Sequence, residues 1–184
     1  LYGFYLFNAF DNYDYIGRTN LKTENAFKGD MSLSYSTSGV LVSLTAFASR
    51  VNNYIMGVYE PTWGTMTIGA LGVKRYANMG YGNMAGAEAA FVWKAPRATQ
   101  VVSTFRYNYG ADDKGTPLPL INPFRNISSV RKKTGRWTAQ LDAEMAVAQD
   151  RVNVAAREVR TPGFFKANIR LAYATMYRLT AFTI

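Results

Sequence analysis

Cysteine and histidine are both missing from the 184 residues of this chain. Their absence excludes disulfides, thiolate and imidazole metal sites, and catalysis by a histidine base or a cysteine nucleophile. No run reaches the roughly 18 apolar residues of a membrane-spanning helix. The chain opens on Leu1 without an initiator methionine or a signal segment, which indicates an interior piece of a longer protein.

Charge is also scarce, at 18% of residues against about 25% in an average soluble protein. The net charge of +9 comes entirely from residues 93–184, which hold fifteen basic and six acidic side chains. One tight cluster, Arg131, Lys132, Lys133 and Arg136, lacks the aromatic signature of an RNA-binding surface. It is typical of a solvated turn with some attraction for lipid phosphate, so we expect no nucleic-acid partner.

Aromatic residues are abundant at 15%, and apolar residues alternate with polar ones over long stretches. In residues 136–148, for example, Trp137, Leu141 and Met145 share one face while Asp142 and Glu144 share the other. A helix would mix these two sets, whereas a strand separates them. Residues 165–173, 100–109, 84–93 and 31–35 repeat the pattern. The chain therefore reads as all-β.

The length of these stretches separates a membrane barrel from a soluble sheet. About 13 residues at ~3.3 Å each extend roughly 43 Å, well beyond the 5–6 residues of an average strand. Such strands suit the tilted wall of an outer-membrane barrel, with an apolar, alanine-rich face bordered by aromatic residues. Charges in the middle of the other face are compatible with a lumen, although a large soluble β-sheet protein remains the alternative.

The connections alternate between short and long. Short ones are expected near 36–39, 95–98, 133–135 and 176–178; long ones are expected at 60–72, 111–123 and 150–162, and the stretch before Thr23 reads as another. Outer-membrane barrels have short periplasmic turns and long extracellular loops, which orients the chain. The predicted fold is an antiparallel up-and-down sheet with almost no helix and no parallel pair. Its eight strands are 24–36, 40–57, 73–94, 99–110, 125–132, 136–149, 163–175 and one from 179.

Eight strands could also close into a small barrel of their own. With the short turns periplasmic, however, the first strand would begin outside the cell and the eighth would end there, and the pattern stops partway at Ile184. These features favour a segment of a larger barrel.

Five stretches, in order, resemble motifs of the TonB-dependent outer-membrane receptors, in the C-terminal part of their barrel. They are 19–24 (TNLKTE), 40–55 with Phe47 and Asn53, 76–80 (YANMG) with 86–88 (GAE), 117–125 (PLPLINPFR, departing at Asn122), and 149–151 (QDR) with 161–164 (TPGF). The resemblance implies an outer-membrane barrel of roughly 22 strands. Residues 1–184 would be about eight strands of that one barrel domain, without the plug domain or the closing strand.

The resemblance further implies a non-enzymatic transporter without a cofactor or metal centre of its own, which imports a scarce nutrient, best an iron–siderophore complex. The TonB complex would act through the plug domain. Loop aromatic and cationic residues would contact the ligand, and the excess of cations favours an anionic one. The ligand-binding candidates are Tyr59, Trp63, Tyr81, Arg151 and Arg157. Lipopolysaccharide phosphate and the outer-membrane lipid compete for the same cations.

Polar residues in mid-strand are expected to face the lumen. They are Glu88, Arg106, Asn108, Gln140, Asp142, Glu144, Lys166, Asn168 and Arg170. Opposite charges among them should stabilise strand pairing rather than catalyse a reaction. The alternative function is a barrel that acts as an adhesin or anchors a surface complex, with a surface lipoprotein as partner; an outer-membrane enzyme is a remote third.

Overall fold

The computed structural model describes residues 5–175 and 179–183, and within them it forms two β-sheets and one short 3₁₀ turn. No helix in these two ranges has the length and apolar content to cross a membrane. In chain order the strands are β1 (Tyr5–Asn8), β2 (Tyr13–Ile16), β3 (Asn25–Ser36), β4 (Val40–Asn52), β5 (Ile55–Glu60), β6 (Val73–Asn78), β7 (Tyr81–Ala95), β8 (Thr99–Asp112), β9 (Arg125–Thr134), β10 (Trp137–Ala146), β11 (Phe164–Ala174) and β12 (Leu179–Thr183). The 3₁₀ turn spans Val154–Ala156.

The larger sheet, here the main sheet, has the order β3-β4-β7-β8-β9-β10-β11-β12. Every neighbouring pair in it is antiparallel. Strands β7 and β8 reach 15 and 14 residues, a length that suits a tilted barrel wall rather than a sandwich. The predicted eight-stranded antiparallel sheet is therefore confirmed.

The connections of the main sheet alternate in length as predicted. Short turns lie at 37–39, 96–98 and 135–136, and long connections lie at the opposite end. In the second turn Arg97 and Ala98 both take left-handed backbone angles, with φ of 59° and 52°, as a tight hairpin requires. The fourth predicted turn, at 176–178, lies outside the described residues.

The strand bounds differ from prediction at the long-connection end. Stretches 40–57 and 73–94 were each predicted as one strand, but each divides between two sheets: β4 and β7 belong to the main sheet, and β5 and β6 to a second one. The predicted loop before Thr23 also contains β1 and β2. This second sheet, here the loop sheet, has the order β1-β2-β6-β5, and its β2–β6 pair is parallel. The expectation of no parallel pair was therefore wrong.

The division occurs at a hydrogen-bonded junction around Asn53, whose φ of 55° turns the chain out of the main sheet. The Asn78 amide donates to the carbonyls of Lys22 (2.9 Å) and Asn53 (2.7 Å) and accepts from the Lys22 amide (2.7 Å). Glu24 accepts from the Ile55 amide (2.7 Å). Three of the five family-like stretches therefore meet at one junction, through Lys22 and Glu24, Asn53 and Ile55, and Asn78.

Register separates the two faces of the main sheet, because residues directly opposite each other in an antiparallel pair share a face. Leu141 opposes both Ile169 and Val130 on an apolar face. Glu144 opposes Lys166 on a polar face. The alternation read from the sequence is therefore preserved across neighbouring strands.

The buried core lies at the long-connection end rather than along the main sheet. Val73 is fully buried and Leu118 is 1% exposed, whereas Leu33 and Leu141 in the main sheet remain largely exposed. A single-layer sheet has no second layer to bury either face. The loop sheet and the long connections pack together and supply that layer at one end.

Candidate functional site

The candidate site is a cavity of about 750 Å³ at the long-connection end, here the loop cavity. One wall is the loop sheet, which contributes Tyr13, Tyr15 and Tyr76. The opposite side comes from the connections 113–124 and 147–163, with Ile121 and Arg157 among the lining residues. A volume of this size lies in the range of small-molecule sites.

The tyrosine wall follows from the period of β2, which points Tyr13 and Tyr15 to the same side. The Tyr15 ring lies 5.0 Å from the Tyr76 ring, centroid to centroid, and Tyr13 meets Tyr59 edge-on at 6.1 Å. Tyr15 crosses Gly57 so closely that a Cβ there would come within 2.4 Å of its ring. Glycine at position 57 therefore gives the ring its place in the wall.

Lys74 is the buried cation of this wall, with only 4% of its surface exposed. Its ammonium lies 2.7 Å from Asp11 Oδ2 and 4.1 Å from the Tyr13 ring centroid. The Tyr15 hydroxyl donates to the same carboxylate oxygen at 2.7 Å. Burial raises the pKa of Tyr15 and the Asp11 carboxylate raises it further, so this hydroxyl stays protonated and the wall keeps a fixed arrangement of donors.

On the other face of β2, Asp14 is completely buried and holds the connection 61–72 in place. Its Oδ2 accepts hydrogen bonds from the backbone amides of Met66 (2.8 Å) and Thr67 (2.9 Å). Burial alone would raise the pKa of Asp14, but the Thr67 hydroxyl and the two amides lower it below the ordinary value. The carboxylate therefore remains charged and keeps the connection against the loop sheet.

Two long connections are locked together by Asn153 and Glu158. The Asn153 side-chain amide donates to the Pro117 carbonyl (2.8 Å), and its oxygen accepts from the Ala156 amide (2.9 Å). Glu158 accepts from the amides of Leu120 (2.9 Å) and Asn153 (2.8 Å). These bonds fix the side of the cavity that faces the tyrosine wall.

The five predicted ligand contacts fall in three places. Arg157 lines the loop cavity, and its guanidinium lies 4.3 Å from the ring centroid of Tyr59, which packs behind it in β5. Trp63 lies in the connection 61–72 and is 45% exposed. Tyr81 lies in strand β7 rather than in a loop, and Arg151 stacks on a tyrosine of β8, so neither lines the cavity. Their binding of a ligand stays a prediction.

The predicted lumen residues share the polar face of the main sheet. Arg106 pairs with Glu88 at 2.8 Å, and Glu144 pairs with Arg125 at 2.5 Å and Lys166 at 3.5 Å. The remaining members of the set lie on the same face by register: Asn108 opposite Gly86, Asn168 opposite Asp142, and Arg170 opposite Gln140. That this face lines a lumen stays a prediction.

Sequence reasoning missed Asp11 and Lys74 in the cavity wall, and Asp14 on the opposite face of β2. The signal was present as alternation in 11–16 (DNYDYI), but the stretch is too short to distinguish a strand from a turn. The bonds from Asn153 and Glu158 to the other connection carried no signal, because Pro117 and Leu120 lie more than thirty residues away. Among the described residues no group of three metal-ligating side chains comes together.

The whole chain, residues 1–184, matches the family model described as "TonB dependent receptor-like, beta-barrel". No curated protein sequence matches it. Solved structures that share the fold include the copper transporter OprC (17% identity, TM-score 0.70, 84% of this chain). The siderophore receptor PirA from Acinetobacter baumannii (16%, 0.61, 88%) and the FrpB iron transporter from Neisseria meningitidis (9%, 0.63, 89%) are further examples.

These structures are much longer than the present chain, which spans 23%, 27% and 26% of their respective lengths. At such low identity the similarity establishes the fold alone. It places the main sheet and its connections as one part of a larger barrel.

Proposed function

Because this chain belongs to the TonB-dependent receptor family as a segment of its outer-membrane β-barrel, we propose that the complete protein imports a scarce nutrient across the outer membrane. Import of this kind is binding and conformational release rather than bond-making, and the family is not enzymatic. The TonB complex would supply the energy through a plug domain inside the barrel. The long connections would capture the ligand outside the cell.

The proposal orients the main sheet in the membrane. Its apolar face, with Leu141, Ile169 and Leu171, lies against lipid, and its polar face, with Glu88, Arg106 and Glu144, lines the lumen. Burying charges against hydrocarbon costs several kcal/mol, about 2–4 for a basic residue at the midplane. The long-connection end, with the loop cavity, faces the outside.

The observation that carries the proposal is the tyrosine-walled loop cavity bordered by Arg157. Tyrosine rings offer flat apolar surface together with hydroxyl donors, and an exposed arginine favours negative charge. Lys74 is already neutralised by Asp11, so Arg157 is the cation available to a ligand. This combination suits an organic anion of several rings, and a ferric siderophore is the nutrient complex of that kind.

The similar structures support a metal-containing nutrient, since they are a copper transporter, a siderophore receptor and an iron transporter. An organic ferric complex fits the loop cavity better than a bare ion does, because the cavity wall offers rings and hydroxyls rather than converging carboxylates.

The test uses the complete receptor, expressed in cells that lack their own siderophore receptors. We expect uptake of a radiolabelled anionic ferric siderophore, and an apparent affinity about tenfold weaker in Arg157→Gln, equivalent to one lost charge-assisted contact. Arg160→Gln is the matched control, because it removes an exposed arginine from the same connection. The proposed site would be contradicted if the two variants took up each nutrient to the same extent as one another, whether that nutrient is a ferric siderophore, free ferric iron or copper.

A second candidate function, a surface anchor or adhesin, is favoured by apolar side chains at the same end. Met66 is 73%, Ile68 102% and Val154 74% exposed, and none of the three lines the loop cavity; exposed apolar patches mark protein contact surfaces. Replacing all three by serine should leave nutrient uptake intact and abolish any surface partner, such as a lipoprotein, captured by crosslinking. Loss of uptake in that variant would instead assign these side chains to the import site.

A further inference from the structure

The two faces of the main sheet differ in the sign as well as the amount of their charge. Within the described strands, every acidic side chain of the main sheet lies on the polar face: Asp30, Glu88, Asp112, Asp142 and Glu144. On the apolar face the charged side chains of these strands are Arg50, near the long connections, and Lys132, near the short turns. A face that otherwise avoids charge therefore carries cations close to its two borders.

Arg50 is held in a defined position on the apolar face. Its guanidinium lies 3.6 Å from the centroid of the Tyr81 ring, and its Nε donates to Asn52 Oδ1 at 3.3 Å. The side chain is exposed, and no acidic group in the described ranges forms an ion pair with it. Stacking on a ring pre-organises arginine and leaves its terminal amino groups free to bind an oxyanion.

Arg151 repeats this arrangement two strands away. It comes from the connection 147–163, and its guanidinium lies 4.1 Å from the centroid of the Tyr109 ring. Tyr109 opposes Ala85 in the register of β7 and β8 and therefore shares the apolar face with Tyr81. The stack holds Arg151 at the apolar side of the sheet, away from the loop cavity. Like Arg50, Arg151 is exposed and forms no ion pair with an acidic group in the described ranges.

The two stacks mark one border of the apolar face. Tyr109 lies level with Ala85, four residues along β7 from Tyr81, so the rings are about 14 Å apart at ~3.3 Å per residue and ~4.8 Å per strand. Phe105 and Tyr107 continue the apolar face toward its middle. Cations stacked on aromatic rings next to a wide apolar surface match an amphiphile with phosphate groups at its head and acyl chains below.

We propose that Arg50 and Arg151 form a binding site for lipopolysaccharide on the lipid-facing side of the barrel, each arginine taking one phosphate of its headgroup. Arginine binds phosphate oxygens in a bidentate manner, and the separation of the stacks suits two phosphates on one sugar backbone. The acyl chains lie along the apolar face. This site is separate from the import site in the loop cavity. Arg151 therefore binds lipopolysaccharide rather than the nutrient.

The experiment uses the complete receptor, purified in detergent and incubated with diphosphorylated lipid A, with bound lipid measured by native mass spectrometry. The variant is Arg50→Gln/Arg151→Gln. The control is Lys28→Gln/Arg170→Gln, which removes the same charge from the polar face. We expect lipid binding about tenfold weaker for each arginine lost and unchanged in the control. Heat-modifiable gel mobility verifies that each protein is folded.

A second measurement needs no variant, because the unmodified receptor is offered lipid A with its phosphates removed. We expect the dephosphorylated lipid A to bind weakly to the unmodified receptor. Its affinity should match that of phosphorylated lipid A for the double variant. Equal binding of both lipids, or equal losses in the variant and the control, would overturn the proposal. Uptake of the nutrient should be unchanged in Arg50→Gln, since Arg50 lies outside the loop cavity. A loss of uptake in Arg151→Gln with lipid binding intact would return Arg151 to the import site.

Discussion

Asp14 shows how a single residue holds a connection at the candidate site. Its buried carboxylate accepts the amides of Met66 and Thr67. Asp14→Asn keeps the size but removes the charge that strengthens these bonds, so the local opening free energy of the connection 61–72 should fall by about 1–3 kcal/mol. Hydrogen exchange at the two amides measures the change. The exposed Asp150→Asn should leave their protection unaltered.

The Asp14 carboxylate also predicts how the exchange protection of the connection 61–72 depends on pH. The pKa of Asp14 is lower in the fold than its ordinary value of 3.8. A group whose pKa is lowered by folding stabilises the fold fully at any pH above its pKa in the unfolded chain. That stabilisation is lost as the pH falls through its pKa in the folded chain. Protection of the connection 61–72, corrected for intrinsic exchange rates, should therefore stay constant from neutral pH to about pH 5 and disappear only below about pH 4. Loss of protection near pH 6 would contradict this account.

Leu141 tests the assignment of the faces. It lies on the apolar face between Val130 and Ile169. If that face contacts lipid, Leu141→Arg in the complete receptor should lower the free energy of unfolding by about 2–4 kcal/mol, the cost of an arginine at the midplane. Gln140→Arg places the same side chain on the opposite face and should cost much less. Denaturant titration in lipid vesicles compares them, and equal costs would remove the main support for the orientation.

At the scale of elements, Asn78 joins the two sheets. Its side chain makes three hydrogen bonds that tie Lys22 and Asn53 to the end of β6. Asn78→Ala leaves these backbone groups unsatisfied, so we expect a destabilisation of about 1–3 kcal/mol, concentrated in the loop sheet. Exchange in β1, β2, β5 and β6 should rise while that in β9 to β11 stays constant. The exposed Asn20→Ala is the control, and a uniform rise across both sheets would contradict the expectation.

The division between the sheets explains which elements were predictable. Strands β8 to β11 contain long regular alternation, and their bounds in the structure lie within a few residues of prediction. Stretches 40–57 and 73–94 kept the same alternation across Asn53 and Asn78, so period alone placed no break there. The break depends on hydrogen bonds to Lys22, Thr23 and Glu24, which are remote in sequence.

For the whole molecule, the main sheet ends at β3 and β12. In the described part of the chain, nothing pairs with the outer edge of β3, and all twelve of its residues are exposed. Unpaired backbone groups cost several kcal/mol each in hydrocarbon, and exposed edges promote aggregation. Residues 1–184 alone should therefore not form a stable closed barrel.

The measurement is to refold residues 1–184 in detergent and to examine protease-resistant β-structure and heat-modifiable gel mobility. We expect neither to match the complete receptor, which serves as the control. A closed, monomeric eight-stranded barrel in that experiment would support the small-barrel alternative instead.

The sequence by itself determined the all-β class, the two faces of each long strand and the alternation of short and long connections. These features are local, because the period of a strand and the composition of a turn are set by neighbouring residues. It also contained the family resemblance, which the match over all 184 residues confirms. Tertiary structure alone decided the loop sheet, its parallel pair and the cavity between it and the long connections. Those features depend on contacts between residues far apart in the chain, such as Asp14 with Thr67 and Glu158 with Leu120, and no local pattern encodes which distant partner will satisfy a buried polar group.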